Sequence, residues 1–233
     1  VVTIHPHPDA AVQGITDGAT ILISGFGLAG QPRALIDALR DTGARDLTVV
    51  NNNAGNGDTG LAALLATGAV RKIICSFPRQ ADSWVFDELY RDGRIELEVV
   101  PQGSLAERLR AGGAGIGGFY TPTGVGTLLA EGKEQRTISG RDYILELPIT
   151  ADVALIGAHR ADRAGNVVYR KTARNFGPIM AMAASRTIVQ VEEILEDGYL
   201  DPECVVTPGV FVSDLVVVPF VGRRPAVEGT YAS

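Results

Sequence analysis

Residues 20–40 read TILISGFGLAGQPRALIDALR, and the reading of this stretch decides the fold. It opens on TILIS, a short apolar run of the kind that makes a buried strand. It ends on PRALIDALR, which puts Leu35, Ile36 and Leu39 on one face of a helix. Between them, Gly25 to Gly30 matches G-x-G-x-x-G. Strand, glycine turn and helix in that order begin a βαβ unit, and hence a parallel sheet.

The glycines invite a dinucleotide reading, which needs more than glycines. The helix should start inside the motif, so that its amides face a pyrophosphate. Pro32 is suited to the first helical position, where its missing N–H costs nothing, so the helix is expected to begin after Gly30. An acid should also close the next strand to hold a ribose hydroxyl. That strand ends in Asn51-Asn52-Asn53, and Asp46 stands at its start. A structural tight turn stays open, as does a loop that lets a ligand or another backbone approach closely. A Walker loop does not fit either. Gly126 to Gly132-Lys133 is one residue too long, and Glu134 replaces the Ser or Thr that would hold magnesium.

Outward from this unit, the alternation continues. Strands are expected at 46–51, 71–77 and 95–100, with helices at 60–67 and 82–91. A further helix opens at Ser104, where Ser104 and Glu107 have capping-box spacing. Residues 111–127 read as a glycine-rich loop. Strands follow at 143–146, 153–157, 166–169, 186–191 and 215–218, with a helix at 178–184. The expectation is one α/β domain over 1–233, an open, mainly parallel sheet flanked by helices.

With 45% hydrophobic and 21% charged residues among 233, the chain has material for a sizeable core. A net charge of −6 argues against nucleic acid as the partner. No run of 18 apolar residues offers a membrane span. The opening VVTIHPHPDAAVQG lacks the basic-then-apolar order of a secretory signal. Cys75 and Cys204 make no disulfide framework, and Cys75, inside KIICSF, is expected to be a buried thiol. The expected compartment is the cytoplasm.

Among chemistry-bearing residues, His5, His7 and His159 have no second ligand at metal spacing, so no metal is expected. No G-x-S-x-G elbow occurs. Gln102, in VVPQGSLAER, lies just past the carboxyl end of a strand, where open parallel sheets place ligands. Its amide could donate to a carbonyl oxygen gaining charge, or it could merely complete the turn. YRKTARN brings Arg170, Lys171 and Arg174 together, either as a solvated face or as an anion site.

These stretches together resemble the alpha subunits of family I CoA-transferases. The resemblance runs through DGATILISGFGLAGQP, DLTVVNNNAGNG, VPQGSLAERLRAGGAGIGGFYTPTGVGT, ALIGAHRADRAGNVVYRKTARNF and TPGVFV, nearly the whole chain and in order. Ser24 departs from the Gly usual there, and a positive φ at that position would strain it. SFPRQADSWVFDELYRDGRIELEVVPQG and ARNFGPIMAMAA resemble most the members that act on 3-oxoadipate.

The resemblance implies that Ser24, Gly25, Phe26, Gly27, Leu28, Ala29 and Gly30 form the CoA loop, and that Gln102 is the oxyanion donor. It implies CoA thioesters as substrates, succinyl-CoA as CoA donor and 3-oxoadipate as acceptor, with no tightly bound cofactor. A glutamyl-CoA thioester forms on a nucleophilic Glu in a Glu-Asn-Gly context on a beta subunit. No Glu-Asn-Gly occurs here, and Glu131 and Glu134 match nothing, so the expected assembly is an alpha–beta pair, doubled to α2β2. A second carboxylate in the acid calls for a cation, and Arg79, in the divergent segment SFPRQADSW, is the candidate. The alternatives are a transferase for acetoacetate or another 3-oxoacid, a CoA-ester hydrolase on the same scaffold, and a non-catalytic sugar-phosphate-binding regulator.

Overall fold

A computed structural model describes residues 1–196 and 200–219. Its first half runs β1 (Thr3–His5), α1 (Pro8–Ala11), β2 (Thr20–Ile23), α2 (Arg33–Thr42), β3 (Leu47–Val50) and α3 (Leu61–Ala66). It continues with β4 (Val70–Cys75), α4 (Trp84–Arg91), β5 (Glu96–Val99) and α5 (Gln102–Gly113). The second half holds β6 (Phe119–Thr121), β7 (Gln135–Ile138), β8 (Arg141–Glu146), β9 (Ala151–Gly157), β10 (Arg160–Asp162) and β11 (Val167–Val168). Then come α6 (Gly177–Met182), β12 (Ala184–Val191), β13 (Glu193–Leu195) and β14 (Asp214–Val217).

Eight strands form one sheet in the order β1-β14-β12-β9-β2-β3-β4-β5, and every neighbouring pair in it is parallel. The α/β expectation therefore holds. Successive side chains of a strand face opposite sides, so the apolar run 20–24 feeds two cores. Ile21 and Ile23 pack with Leu35, Ile36 and Leu39 of α2 and with Leu61 and Phe86 of the next two helices. Leu22 packs on the other face with Leu105 and Leu109 of α5 and Met180 of α6. Each such side chain, fully buried, contributes about 1.5–3 kcal/mol. α5 is thus anchored from beneath, and its first residue is Gln102.

Three local expectations are corrected. α2 begins at Arg33 rather than at Pro32, whose carbonyl accepts the Ile36 amide at 3.0 Å. The capping box at Ser104 and Glu107 does not form. α5 starts two residues earlier, because Pro101 (φ −50°) feeds the chain into the helix and its carbonyl takes the Leu105 amide at 2.8 Å. Ser104 is then buried inside the first turn, and Glu107 pairs with Arg110 at 2.9 Å. Residues 111–127 are not all loop. α5 runs on through Gly113, since Gly112 lies against the Ile149 carbonyl and a Cβ on Gly113 would come within 2.6 Å of Met182. β6 then joins β8 and β7 in a small antiparallel sheet, and β10 lies between β11, to which it is antiparallel, and β13, to which it is parallel, in a small mixed sheet.

Candidate active site

Strands β2 to β5 step outward in one direction, and β9, β12 and β14 in the other. The order reverses between β2 and β9, and ligands of open parallel sheets bind at the carboxyl ends beside such a reversal. The loop Ser24–Gly30 emerges there.

Ser24 is fully buried. Its hydroxyl donates to the Gly30 carbonyl at 2.7 Å and accepts the Gly157 amide at 2.9 Å, tying the loop to the end of β9. Ser24 is absent from the residues with positive φ, so the strain considered for it does not arise. The left-handed positions fall on glycines: Gly25 (φ 130°), Gly27 (59°) and Gly30 (75°). Asn175 holds the loop from the opposite side. Its Oδ1 accepts the Gly25 amide at 3.2 Å, and its Nδ2 donates to the Ala29 carbonyl at 2.9 Å. A Cβ on Gly30 would fall on the Ala173 carbonyl oxygen, so only glycine allows this approach. The amides of Ala34 and Leu35, at the start of α2, are taken by Gln190 Oε1 at 3.1 and 3.3 Å. That removes the donors a dinucleotide pyrophosphate would need.

Next to the loop, across β3 and β4, a cavity of about 680 Å³ is lined by Phe26, Asn52, Ser76, Phe77, Arg79, Gln80, Ala81 and Gln102. Gln102 and the glycine loop, placed in one site by sequence reasoning, therefore meet. Gln102 Nε2 donates to Asn52 Oδ1 at 2.8 Å, and Ser76 Oγ donates to the same oxygen at 2.7 Å. One N–H of a carboxamide is thus committed and the other remains for a ligand. Asn52 is buried and held by β3 at the carboxyl end of the sheet. Sequence reasoning missed it. The run Asn51-Asn52-Asn53 reads there only as the lack of an acid, although three amides at a strand's carboxyl end are themselves a signal.

Arg79 reaches the rim of the same cavity. Its Nε donates to Asp87 Oδ1 at 2.7 Å, which leaves the outer edge of the guanidinium free of that bond. Among the lining residues there is no carboxylate. Glu131 and Glu134 lie exposed in the turn before β7, where Glu134 accepts the Tyr120 hydroxyl. Cys75 is buried beneath the site. Burial pushes its thiol up to about 12, so it is no thiolate nucleophile. His5 pairs with Asp214 at 2.6 Å and His159 with Glu192 at 3.2 Å, both within the fold.

The arrangement offers a neutral, exposed donor, oriented by the buried Asn52, beside a pocket with an apolar lip. Phe26 and Phe77 are 50% and 58% exposed. Such a pocket suits a carbonyl that becomes an oxyanion. It supplies no carboxylate nucleophile.

A parallel α/β sheet with a glycine loop and a ligand-sized cavity at its carboxyl ends is the architecture of a ligand-binding α/β protein. The chain belongs to the coenzyme A transferase family, whose model matches residues 6–218. It is 66% identical over 209 residues to the 3-oxoadipate CoA-transferase A chain of Pseudomonas putida, covering 90% of each chain. It is 67% identical over 208 residues to the chain of the same name in Acinetobacter baylyi, covering 89% of this chain and 91% of that one. Its fold matches an acyl-CoA transferase of Escherichia coli O157:H7, solved as a thioester complex with CoA, at a TM-score of 0.81 and 24% identity. That match covers 93% of this chain and 47% of the other, so the chain spans about half the length of that structural relative.

Proposed function

We propose that this chain is the alpha subunit of a cytoplasmic CoA-transferase that moves CoA from succinyl-CoA to 3-oxoadipate. It acts as one domain and is completed by a beta subunit in an α2β2 assembly. The observation that carries the reading is a cavity holding an oriented amide but no carboxylate, in a chain 66–67% identical to 3-oxoadipate CoA-transferase A chains. The missing group is the one that covalent CoA transfer requires.

The chemistry then divides between two chains. A partner glutamate attacks the thioester carbonyl, and the oxygen that gains charge takes the free N–H of Gln102. The C–S bond breaks, leaving an acyl-glutamyl anhydride and CoA thiolate. The thiolate attacks the glutamyl carbonyl, releasing succinate and leaving a glutamyl-CoA thioester. The carboxylate of 3-oxoadipate repeats both steps in reverse and leaves as its CoA ester, with the glutamate restored. The loop Ser24–Gly30 supports the CoA arm, and the outer edge of the Arg79 guanidinium takes the unreacting carboxylate of 3-oxoadipate.

The isolated chain should transfer no CoA, and the reconstituted pair should. Borohydride added with succinyl-CoA should modify the partner only. A label on Glu131, Glu134 or any other acid of this chain overturns the division of labour. Steady hydrolysis of succinyl-CoA without an acceptor points to a CoA-ester hydrolase instead. For the acid, Arg79→Ala should lower kcat/KM for 3-oxoadipate about 10²-fold while sparing residual acetoacetate transfer. Equal losses on both acids would remove Arg79 from substrate selection.

A further inference from the structure

The cavity beside the glycine loop is lined by neutral side chains with one exception, Arg79. Its side chain is 65% exposed, yet Arg79 is held at both ends. At the backbone end stands Ser83, which is buried. Its hydroxyl accepts the Gln80 amide at 2.8 Å and donates to the Gly55 carbonyl at 3.1 Å. Ser83 precedes α4 in the capping position but makes no side-chain cap there, so its hydroxyl serves the turn that carries Arg79. At the other end, the guanidinium Nε donates to Asp87 Oδ1 at 2.7 Å. Asp87 lies in the first turn of α4, where the helix dipole favours its charge. The helix itself is fixed by the buried Val85, Phe86 and Leu89.

A guanidinium has five N–H groups, and the Asp87 bond uses one of them. The two terminal nitrogens keep the fork that meets a carboxylate through parallel hydrogen bonds. Ordering a free arginine costs side-chain entropy. Asp87 imposes that order before an acid arrives.

The function proposed above sends two acids through this cavity in turn. In each half-reaction the acyl carbonyl passes the Gln102 amide. Succinate and 3-oxoadipate each carry a second carboxylate, so both acyl groups start from one donor and have one cation in the lining to reach. We infer that Arg79 takes the free carboxylate of the succinyl donor as well as that of the acceptor, and that Asp87 is the positioning residue that aims it. The site then selects thioesters of dicarboxylic acids in both directions. The inference rests on the CoA-transferase reading and on the role given there to Arg79, which it extends to the donor and to Asp87. The two acids differ by two carbons. A long side chain tied through a single hydrogen bond keeps the reach to meet either.

The test uses the reconstituted alpha–beta complex. In a double-displacement reaction, kcat/KM for each substrate reports its own half-reaction. The donors are succinyl-CoA and butyryl-CoA, which ends in a methyl group. The acceptors are 3-oxoadipate and 3-oxohexanoate, which ends in the same way. Arg79→Gln should lower kcat/KM about 10²-fold for succinyl-CoA and for 3-oxoadipate alike. The preference for each dicarboxylate over its monocarboxylate counterpart should shrink with it. Arg79→Lys keeps the charge without the fork and should fall between. Asp87→Ala should cost both dicarboxylates about tenfold, through KM rather than kcat. Asp87→Asn should recover part of that loss, because its amide oxygen still accepts from Nε.

A loss confined to 3-oxoadipate overturns the inference and leaves Arg79 in its role toward the acceptor. Equal losses for all four substrates overturn it too, since the segment from Arg79 to Asp87 would then support the fold alone. A gain in dicarboxylate preference in Asp87→Ala would mean that Asp87 competes with the acids, and overturns its positioning role. No loss for either dicarboxylate in Arg79→Gln removes Arg79 from acid selection altogether. A wild-type complex that transfers no CoA removes the function itself.

Discussion

At the scale of single residues, the site turns on how one carboxamide is held. Gln102 is exposed on this chain and could rotate, but Asn52 Oδ1 fixes its Nε2 at 2.8 Å while Ser76 fixes Asn52. Gln102→Ala should lower kcat roughly 10²–10³-fold with KM little changed, the usual loss for one oxyanion donor. Gln102→Glu should be worse, because it sets a negative charge beside the developing one. Asn52→Ala keeps the donor but frees it to turn. It should cost about tenfold in kcat, one hydrogen bond's share, with the same split between kcat and KM. A near-normal kcat for Gln102→Ala would make the residue a turn former. A fall in thermal stability alone for Asn52→Ala would make Asn52 a core amide.

At the scale of elements, the glycine loop separates what the fold needs from what a ligand needs. A Cβ on Gly30 meets the Ala173 carbonyl, whereas one on Gly27 meets nothing within 4 Å. Both have positive φ, so each alanine carries about 1 kcal/mol of backbone strain, or some 2–4 °C in a chain of this size. Gly30→Ala should lose clearly more than that in a melting curve, and Gly27→Ala no more. Gly27→Val should nevertheless raise KM for succinyl-CoA if, as proposed, the loop supports the CoA arm, because the side chain would fill open space beside it. Equal melting temperatures for the two alanine variants would contradict the packing described at Gly30. Much of this level was legible in the sequence. Parallel strands buried on both faces read as continuous apolar runs, and TILIS, DLTVVN and RKIICSF each became one. The start of α5 was not legible, because Ser104 and Glu107 imitate a cap while Gly103, just after the first helical residue, is a weak helix former. Its end was hidden too, since Gly112 and Gly113 are helical only through contact with Ile149 and Met182. β7 has no buried side chain, and β10 and β13 run only three residues, so no period announces them, whereas β11 falls within the strand expected at 166–169. In the site, Gln102 could be found from its position after a strand. Asn52 also follows a strand, but its task of holding Gln102 depends on a partner fifty residues away and could not be read from the run of amides.

At the scale of the molecule, the helix that carries Gln102 is steadied by a chain of alternating charges. Lys72 on β4 holds Glu98 on β5 at 2.6 Å, and Glu98 holds Arg108 on α5 at 2.9 Å. Arg108 faces the buried Glu146 of β8 at 3.8 Å, and Lys133 closes the chain on Glu146 at 2.6 Å. The parallel sheet, α5 and the small antiparallel sheet are joined through it. Burial pushes the Glu98 carboxyl up, but the hydrogen bonds and charges of Lys72 and Arg108 outweigh it, so its pKa lies below the ordinary 4.5. A carboxylate lowered in the folded state stabilises it above the unfolded value and loses that contribution as pH falls through the folded one. Glu98 is a third exposed, so the contribution lies between that of a surface pair and a buried one, about 1–2 kcal/mol. Glu98→Gln should therefore melt some 2–8 °C below wild type at pH 7. The gap should hold down to about pH 4.5 and close below it, where the wild-type carboxyl takes up its proton. Melting curves from pH 7 down to pH 3 give the comparison. Parallel profiles across that range would mean that Glu98 contributes through packing alone, and that α5 is steadied by Leu105 and Leu109 without help from the charges.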